Sequence, residues 1–254
     1  MMKKFLLDLD GTLYSGDRVL PHAPEFIELL KAKGYGYLAL TNCPSKTQAQ
    51  VSDKLVSMGI DIGPEQVLTS GMATATVLKK LYGVSSAYIL GTAPLKHELE
   101  KQGIIVREQS VDAVVIGYDT GLTYDSLTVA VQLARGGAML FATNIDNSIP
   151  HGDKRIPHTG AIAKAVEFAA DKECIYIGKP QTHMFDIAHA ILQGDKADYI
   201  MVGDRLDTDV LFAKNSSIMS CWVYGEGPTP QNIPPGLMPD LVAGSLSEII
   251  TKGV

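Results

Sequence analysis

The chain has 254 residues, a formal net charge of −6, 46% hydrophobic residues and 20% charged residues. These values are typical of a folded protein with one large domain or two smaller ones, and they argue against intrinsic disorder. The acidic balance, with no cluster of lysine and arginine, argues against a nucleic-acid-binding surface, and no apolar stretch approaches the roughly 20 residues that a membrane span requires.

The beginning of the chain indicates a cytoplasmic protein. Met1-Met2-Lys3-Lys4 runs directly into a short predicted strand rather than into the apolar core of a signal peptide. The cysteines Cys43, Cys174 and Cys221 are scattered, which argues against a disulfide framework and against a zinc site of paired cysteines.

Short apolar runs alternate along the chain with amphipathic stretches. In chain order the predicted strands are residues 4–9, 35–41, 66–69, 87–90, 113–116, 139–143, 175–177, 199–202, 220–223 and 241–243. The predicted helices are residues 24–33, 46–58, 71–82, 94–102, 123–135, 160–172, 181–193 and 207–215. This alternation predicts an α/β fold built on a doubly wound parallel sheet, in which ligands bind beyond the carboxyl ends of the strands.

Two carboxylates follow the first predicted strand. Asp8 and Asp10 are two residues apart, and side chains at this spacing on a strand point to the same side. Two such anions repel each other unless a proton or a cation lies between them, and hard divalent cations such as Mg²⁺ prefer oxygen ligands. The pair therefore predicts a metal site.

Polar residues also follow three later predicted strands. They are Thr41-Asn42, Lys179 before Pro180, and the acidic stretch from Asp204 to Asp209. Each is explained singly by helix capping or by an exposed loop. Their joint occurrence at predicted strand ends is hard to explain by capping alone and indicates one functional site.

This ordered set resembles the four motifs of the haloacid dehalogenase (HAD) superfamily. The spacing refines the resemblance, because only about 30 residues separate Asp10 from Thr41 whereas 137 positions separate Asn42 from Lys179. That layout resembles the NagD-type branch, whose members are phosphatases with a class II cap. The resemblance implies a Rossmann-like HAD core over residues 1–81 and 175–254, and an inserted α/β cap domain over residues 82–174.

The resemblance also implies a mechanism of phosphomonoester hydrolysis. Asp8 is the expected nucleophile, forming an aspartyl-phosphate, and Asp10 the expected general acid and base. The expected Mg²⁺ ligands are Asp8, Asp10 through its backbone carbonyl, and Asp204, with Asp209 orienting ligands or bound water.

The phosphate group has its own expected partners. Thr41 and Asn42 are expected to donate hydrogen bonds to it, the backbone around Gly11 to cradle it, and Lys179 to supply compensating charge.

Substrate selection is expected to lie in the cap. Asn144 and Asp146 stand in a stretch similar to the Thr-Asn-x-Asp element of the NagD-type cap. The expected substrates are small phosphorylated metabolites such as sugar phosphates, nucleotides or aryl phosphates, and a homodimer through the cap is a further expectation. His151 and His158 could contact substrate, but they are expected to be solvated loop residues. Cys43 is expected to pack, with a reactive thiol as the alternative.

Two other classes of function remain open. A phosphoryl transferase or phosphomutase would use Asp8 on the same scaffold, although the long insertion before Lys179 argues against the mutases. A non-catalytic sensor of phosphorylated ligands would be expected to lose Asp8, Asp10 or Lys179, and this sequence retains all three.

Overall fold

The computed structural model describes residues 2–225 and 232–251. The chain divides into two compact units. The first unit comprises Met1–Thr41, Gln48–Leu68 and Lys179–Val254, and the second comprises Asn42–Thr47 and Thr69–Gly178. Within the described ranges, no helix is both long enough and apolar enough to cross a membrane.

The strands are short and are distributed along the whole chain. In chain order they are β1 (Lys4–Leu7), β2 (Tyr14–Ser15), β3 (Arg18–Val19), β4 (Gly36–Thr41), β5 (Val67–Thr69), β6 (Ser86–Leu90), β7 (Ile105–Val106), β8 (Ala113–Ile116), β9 (Met139–Ala142), β10 (Ser148–His151), β11 (Lys154–Pro157), β12 (Ile175–Tyr176), β13 (Tyr199–Gly203), β14 (Met219–Val223) and β15 (Leu241–Ala243).

The helices alternate with these strands. The α-helices are α1 (Ala23–Ala32), α2 (Gln48–Ser57), α3 (Ser70–Tyr82), α4 (Ala93–Lys101), α5 (Tyr124–Arg135), α6 (Thr159–Ala170), α7 (His183–Leu192), α8 (Leu211–Ser216) and α9 (Leu246–Thr251). Short 3₁₀ turns cover Pro64–Gln66, Lys196–Asp198 and Pro235–Leu237, and a π-helical turn covers Leu206–Val210.

The first unit is built on a six-stranded sheet in the order β15-β14-β13-β1-β4-β5. β1 pairs in parallel with β4 on one side and with β13 on the other, and β14 and β15 continue the sheet in parallel beyond β13. Because β1 lies in the interior and the two halves of the sheet are built outward from it, its carboxyl end borders the crevice where ligands bind in folds of this kind.

The central position of β1 explains its composition. Phe5, Leu6 and Leu7 are fully buried, as expected for a parallel strand covered on both faces. Phe5 also meets Phe26 of α1 edge to face, with the ring centroids 5.8 Å apart. This packing holds the carboxyl end of the strand in place.

The second unit contains a five-stranded sheet in the order β12-β9-β8-β6-β7, and all of its pairs are parallel. A separate antiparallel hairpin, β10-β11, belongs to the same unit. The predicted α/β architecture, a doubly wound parallel sheet with an additional α/β unit, is confirmed.

The second unit is larger than the predicted interval of residues 82–174. It also includes helix α3, which begins where the Thr69 hydroxyl accepts a hydrogen bond from the Met72 N–H at 3.2 Å and ends at Gly83 in the left-handed conformation. The reason is that α3 packs against α4, an element of the same unit.

One predicted helix has a different form. Residues 207–215 were expected to form a single α-helix, but the π-helical turn Leu206–Val210 precedes α8. The Arg205 carbonyl accepts hydrogen bonds from both Asp209 N–H, at 3.0 Å, and Val210 N–H, at 3.1 Å. This wider turn determines where the Asp209 carboxylate lies.

Candidate active site

Parallel neighbours bring three of the predicted site residues to one edge of the first sheet. Asp8 follows β1, Thr41 is the last residue of β4, and Asp204 follows β13. These strands are adjacent in the order β13-β1-β4. Since the carboxyl ends of parallel strands meet at one edge, the separate motifs converge there.

Lys179 is the buried cation of this site. Its side chain is only 2% exposed, and its Nζ donates hydrogen bonds to Asp8 Oδ1 at 2.5 Å, to Asp209 Oδ1 at 2.7 Å and to the Leu40 carbonyl at 3.3 Å. Burial alone would lower the pKa of Lys179, but Asp209 and Asp8 outweigh it and hold that pKa above its ordinary value. The ammonium is therefore charged and bridges two carboxylates.

Asp8, Asp204 and Asp209 form a carboxylate cluster. Each offers an oxygen within 4.8 Å of the oxygens of the other two. Burial, with the negative charges of Asp8 and Asp209, raises the pKa of Asp204 well above its ordinary value. Burial and Asp8 also raise the pKa of Asp209, although Lys179 opposes this. Three carboxylates against one ammonium leave a formal charge of −2, which suits a divalent cation.

Asp204 is held by its backbone rather than by its carboxylate. Its carbonyl accepts a hydrogen bond from Trp222 Nε1 at 2.7 Å. Its Oδ1 is buried and has no hydrogen-bond partner among the described residues. A buried carboxylate oxygen in this state is costly unless a ligand satisfies it.

Gly11 lies directly against the same carboxylate. Its φ of +97° is a left-handed conformation, and a Cβ atom built on it would overlap Asp204 Oδ2 and lie 2.9 Å from Oδ1. Only glycine combines this backbone conformation with so close an approach.

Asp10 lies apart from the carboxylate cluster. β1 ends at Leu7, two residues earlier than expected, because Leu9 begins a turn in which its carbonyl accepts the N–H groups of Leu13 and Tyr14. The Asp10 side chain is exposed, and its Oδ1 accepts a hydrogen bond from the Gly16 N–H at 3.4 Å. The expected role of Asp10 stays a prediction.

Asn42, Asn144 and Asp146 lie together in the second unit. Asn42 Nδ2 donates to Asp146 Oδ2 at 3.0 Å, and Asn144 Nδ2 donates to the Asn42 carbonyl at 2.7 Å. Asn144 is fully buried and Asp146 is 8% exposed. The amide expected to bind phosphate is therefore engaged with a carboxylate of its own unit.

The prediction for His158 was wrong. This residue is buried, its ring stacks on Tyr118 with centroids 4.8 Å apart, and its Nδ1 lies 3.3 Å from Asn144 Oδ1. Burial lowers the pKa of His158, and the nearby Asp146 partly offsets this. His151 is exposed, and Cys43 is half-buried with its Sγ 3.4 Å from Ser45 Oγ.

Three contributors to these sites were not identified from the sequence: the Leu40 carbonyl, the Trp222 indole and the His158 ring. A backbone carbonyl carries no residue-type signal. The sequence around Trp222 in β14 gives no indication that its indole N–H would donate to the Asp204 carbonyl. The sequence feature that could have identified His158 was its position directly before helix α6, between Pro157 and Thr159, where a residue is held by the start of the helix.

The chain matches two family models. Residues 5–105 match the model of haloacid dehalogenase-like hydrolases, and residues 176–249 match a second model described as HAD-hydrolase-like. The sequence is also 39% identical over 214 residues to the acid sugar phosphatase of Staphylococcus aureus strain USA300, an alignment that covers 84% of this chain and 83% of that protein.

Solved structures of similar proteins share the fold over nearly the whole chain. A 4-nitrophenylphosphatase from Thermotoga maritima has a TM-score of 0.89 and 35% identity, covering 98% of this chain and 97% of its own. NagD from E. coli K-12 has a TM-score of 0.89 and 28% identity, covering 97% of this chain and 98% of its own. On these matches, the chain belongs to the haloacid dehalogenase-like hydrolases, in the NagD-like branch.

Proposed function

We propose that this hydrolase is a Mg²⁺-dependent phosphatase that cleaves small phosphomonoesters through an aspartyl-phosphate on Asp8. The observation that carries the proposal is the contact of Asp8 with the buried Lys179 ammonium beside Asp204, whose Oδ1 has no partner among the described residues. The names of two similar proteins, an acid sugar phosphatase and a 4-nitrophenylphosphatase, support sugar and aryl phosphates as substrates.

The residues present fit a divalent cation. Asp8 and Asp204 would hold it directly, together with the Asp10 backbone carbonyl. Asp209 would act by orientation, because its Oδ1 already accepts from Lys179 and its Oδ2 accepts from the Arg205 N–H at 3.1 Å. When bound, Mg²⁺ would neutralise the carboxylates and the phosphate oxygens together.

The covalent chemistry falls to the two aspartates that follow β1. In the first step an Asp8 carboxylate oxygen bonds to phosphorus while the bond from phosphorus to the ester oxygen breaks, and Asp10 donates a proton to that leaving oxygen. In the second step water attacks phosphorus, Asp10 takes the proton from the water, and the bond between phosphorus and Asp8 breaks. Inorganic phosphate is released and both aspartates return to their starting states.

The remaining residues bind and orient the phosphoryl group. Lys179 and the Thr41 strand end supply positive charge and hydrogen-bond donors. The N–H groups of Gly11 and Thr12 already donate to the Tyr14 and Leu9 carbonyls, at 2.7 and 3.2 Å. Lys179 also orients Asp8, since a carboxylate held by a hydrogen bond at 2.5 Å cannot rotate freely. The Lys179 ammonium and a bound divalent cation would together offset the three carboxylates, so that an anionic substrate could approach a protein whose net charge is −6.

The proposal is tested by measuring phosphate release from a panel of sugar, nucleoside and aryl phosphates with Mg²⁺ and then with chelator. Asp8→Asn should abolish turnover, since an amide is a poor nucleophile. Asp17→Asn, at an exposed aspartate of the same unit, is the matched control and should stay active. Turnover in the Asp8→Asn variant would exclude the covalent route, and turnover in chelator would exclude the metal.

Location and assembly complete the proposal. We place the protein in the cytoplasm, as the sequence predicts, acting on a small phosphorylated metabolite. A homodimer through the second unit is supported by Phe168 of α6 and Tyr124 of α5, which are 92% and 84% exposed. The molar mass in solution, with Phe168→Glu as the comparison, tests this part.

A further inference from the structure

A chain of buried polar groups in the second unit runs from the His158 ring to Asn42. His158 Nδ1 lies 3.3 Å from Asn144 Oδ1, and Asn144 Nδ2 donates to the Asn42 carbonyl at 2.7 Å. The Ser70 hydroxyl donates to the same carbonyl at 2.8 Å. Buried networks of this kind hold their members in one arrangement when each member is satisfied.

Backbone groups determine the orientation of the Asn144 amide. Its Oδ1 accepts from the Asp146 N–H at 3.0 Å, and its Nδ2 donates to a carbonyl. A backbone N–H can only donate and a carbonyl can only accept, so the amide cannot be rotated by 180° without losing both bonds. His158 Nδ1 must then be the donor toward Asn144.

Asp146 completes the hold on Asn42. Its Oδ2 accepts from Asn42 Nδ2 at 3.0 Å, while its own carbonyl accepts from the Gly160 N–H at 2.8 Å. Both the backbone carbonyl and the side-chain amide of Asn42 are therefore bound within the second unit. A carboxylate used in this way faces a protein amide, whereas one that selects substrates would need to face the substrate.

Gly178 brings a second stretch of chain to the same point. A Cβ atom at Gly178 would lie 2.6 Å from Asn42 Oδ1 and 2.6 Å from the Thr143 carbonyl, so a side chain there would displace Asn42. The Gly178 N–H also donates to the Thr143 carbonyl at 3.0 Å. One peptide bond joins Asn42 to Thr41, and one peptide bond joins Gly178 to Lys179.

We infer that Asp146 and Asn144 are positioning residues that hold Asn42 and thereby set the Thr41 strand end for phosphate binding, rather than residues that select the substrate. The inference rests on the proposed function and gives these residues a different role from the one that the family resemblance implies. A group that binds the phosphoryl moiety serves every substrate alike. Disturbing its position therefore lowers all activities together.

The test compares three variants on 4-nitrophenyl phosphate and on a hexose phosphate. Asp146→Leu cannot accept the Asn42 hydrogen bond, Asp146→Asn can still accept it, and Asp153→Asn is an exposed control in the same unit. Asp146→Leu should lower kcat/KM by about 10- to 100-fold, a range typical of a small misplacement, and by the same factor on both substrates. Asp146→Asn should stay within about threefold of wild type, because its amide oxygen replaces the lost acceptor.

A double-mutant cycle separates action through Asn42 from direct action. Asn42→Leu should lower activity, and adding Asp146→Leu to it should cause no further loss. The inference would be overturned if the loss in the double variant equalled the product of the two single losses. It would also be overturned if the factor by which Asp146→Leu lowers kcat/KM differed tenfold between the two substrates. If Asp146→Leu does not fold, as judged by circular dichroism, the test rests on Asp146→Asn. A loss of kcat/KM in that variant beyond about threefold would then overturn the inference.

Phosphate release by the wild-type protein shows whether a negative result counts against this inference or against the proposed function. Wild type that releases no phosphate from either ester refutes the proposed function. Active wild type, with Asp146→Leu as active as Asp153→Asn, refutes the positioning role alone.

Discussion

The Gly11 Cα lies so close to the Asp204 carboxylate that a methyl group at position 11 would overlap its Oδ2. Gly11→Ala is therefore expected to displace Asp204 and to lower phosphate release at least tenfold, with a higher Mg²⁺ concentration needed for half-maximal activity. The left-handed φ of +97° adds strain of about 1–3 kcal/mol. Magnesium titration of activity and thermal unfolding measure the two effects separately.

Gly16 offers a matched control for this substitution. It has a left-handed φ of +58°, but a Cβ atom there would have no neighbour within 4 Å. Gly16→Ala should therefore lose stability while keeping the Mg²⁺ dependence of the wild type. Identical magnesium curves for the two variants would show that the approach of Gly11 to Asp204 has no functional importance.

Lys179→Met removes the cation that joins Asp8 and Asp209 while nearly preserving side-chain volume. Turnover should fall by about 100-fold or more, as when a preorganised donor to a developing charge is lost. Stability should also fall, because breaking one partner of a buried ion pair typically costs about 3–5 kcal/mol. Urea unfolding followed by circular dichroism, beside the phosphate-release assay, checks both.

The control for that variant is Lys214→Met, at an exposed lysine of α8 in the same unit. Its unfolding midpoint and turnover should match the wild type. If Lys179→Met behaved in the same way, the ammonium would have no role in holding Asp8.

Most strands of the parallel sheets were predictable because they are continuous apolar runs, and the segments between them have apolar residues at helical spacing. Strand β7 (Ile105–Val106), only two residues long, was not predicted. The run at Phe5–Leu7 and the run at Ala113–Ile116 are examples, and both are fully buried. The hairpins β2-β3 and β10-β11 were missed because their strands are short and mostly exposed, although Tyr14 of β2 is buried. Each nevertheless carries a Gly-Asp pair at its turn, Gly16-Asp17 and Gly152-Asp153, which is a hairpin signal.

Only the site residues that follow predicted strands could be predicted from the sequence. Asp8, Thr41 and Asp204 could be placed at one edge because parallel topology brings strand ends together. This argument does not extend to Lys179, because the strand before it, β12, belongs to the sheet of the second unit. The Trp222 bond to the Asp204 carbonyl and the buried state of His158 depend on which distant elements pack together. No local pattern encodes such contacts.

Asp112 should make the stability of the second unit depend on pH. Its Oδ2 accepts the backbone N–H groups of Ser85 and Ser86, each at 2.9 Å, and these bonds lower the pKa of Asp112. A lowered carboxyl pKa contributes stability that is present above the unfolded value, about 3.9, and is lost as the pH falls through the folded value. Because Asp112 is exposed, we expect a contribution of only about 1 kcal/mol.

Asp112→Asn is the variant that isolates this charge. The free energy of unfolding of the wild type should exceed that of the variant at pH 7, and the difference should shrink toward pH 2–3, below the unfolded pKa of about 3.9. Asp153→Asn should show no such trend. A constant difference for Asp112→Asn across this range would mean that the charge of Asp112 does not strengthen its backbone bonds.

His158 should give the opposite pH dependence to an ion-paired histidine. Burial lowers its pKa, with Asp146 opposing, so below pH about 6.5 the unfolded chain takes up a proton that the folded side chain does not. The wild type should therefore lose stability as the pH falls from about 6.5 toward the folded pKa.

His158→Phe keeps an aromatic ring against Tyr118 but has no such proton to take up. At pH 7.5 the variant should be less stable by about 1 kcal/mol, the value of one hydrogen bond to Asn144, and this deficit should diminish toward pH 5. Urea unfolding at a series of pH values measures the trend, and His151→Gln, at an exposed histidine, should run parallel to the wild type. A deficit for His158→Phe that stays constant with pH would show that His158 is protonated as easily in the folded protein as in the unfolded chain.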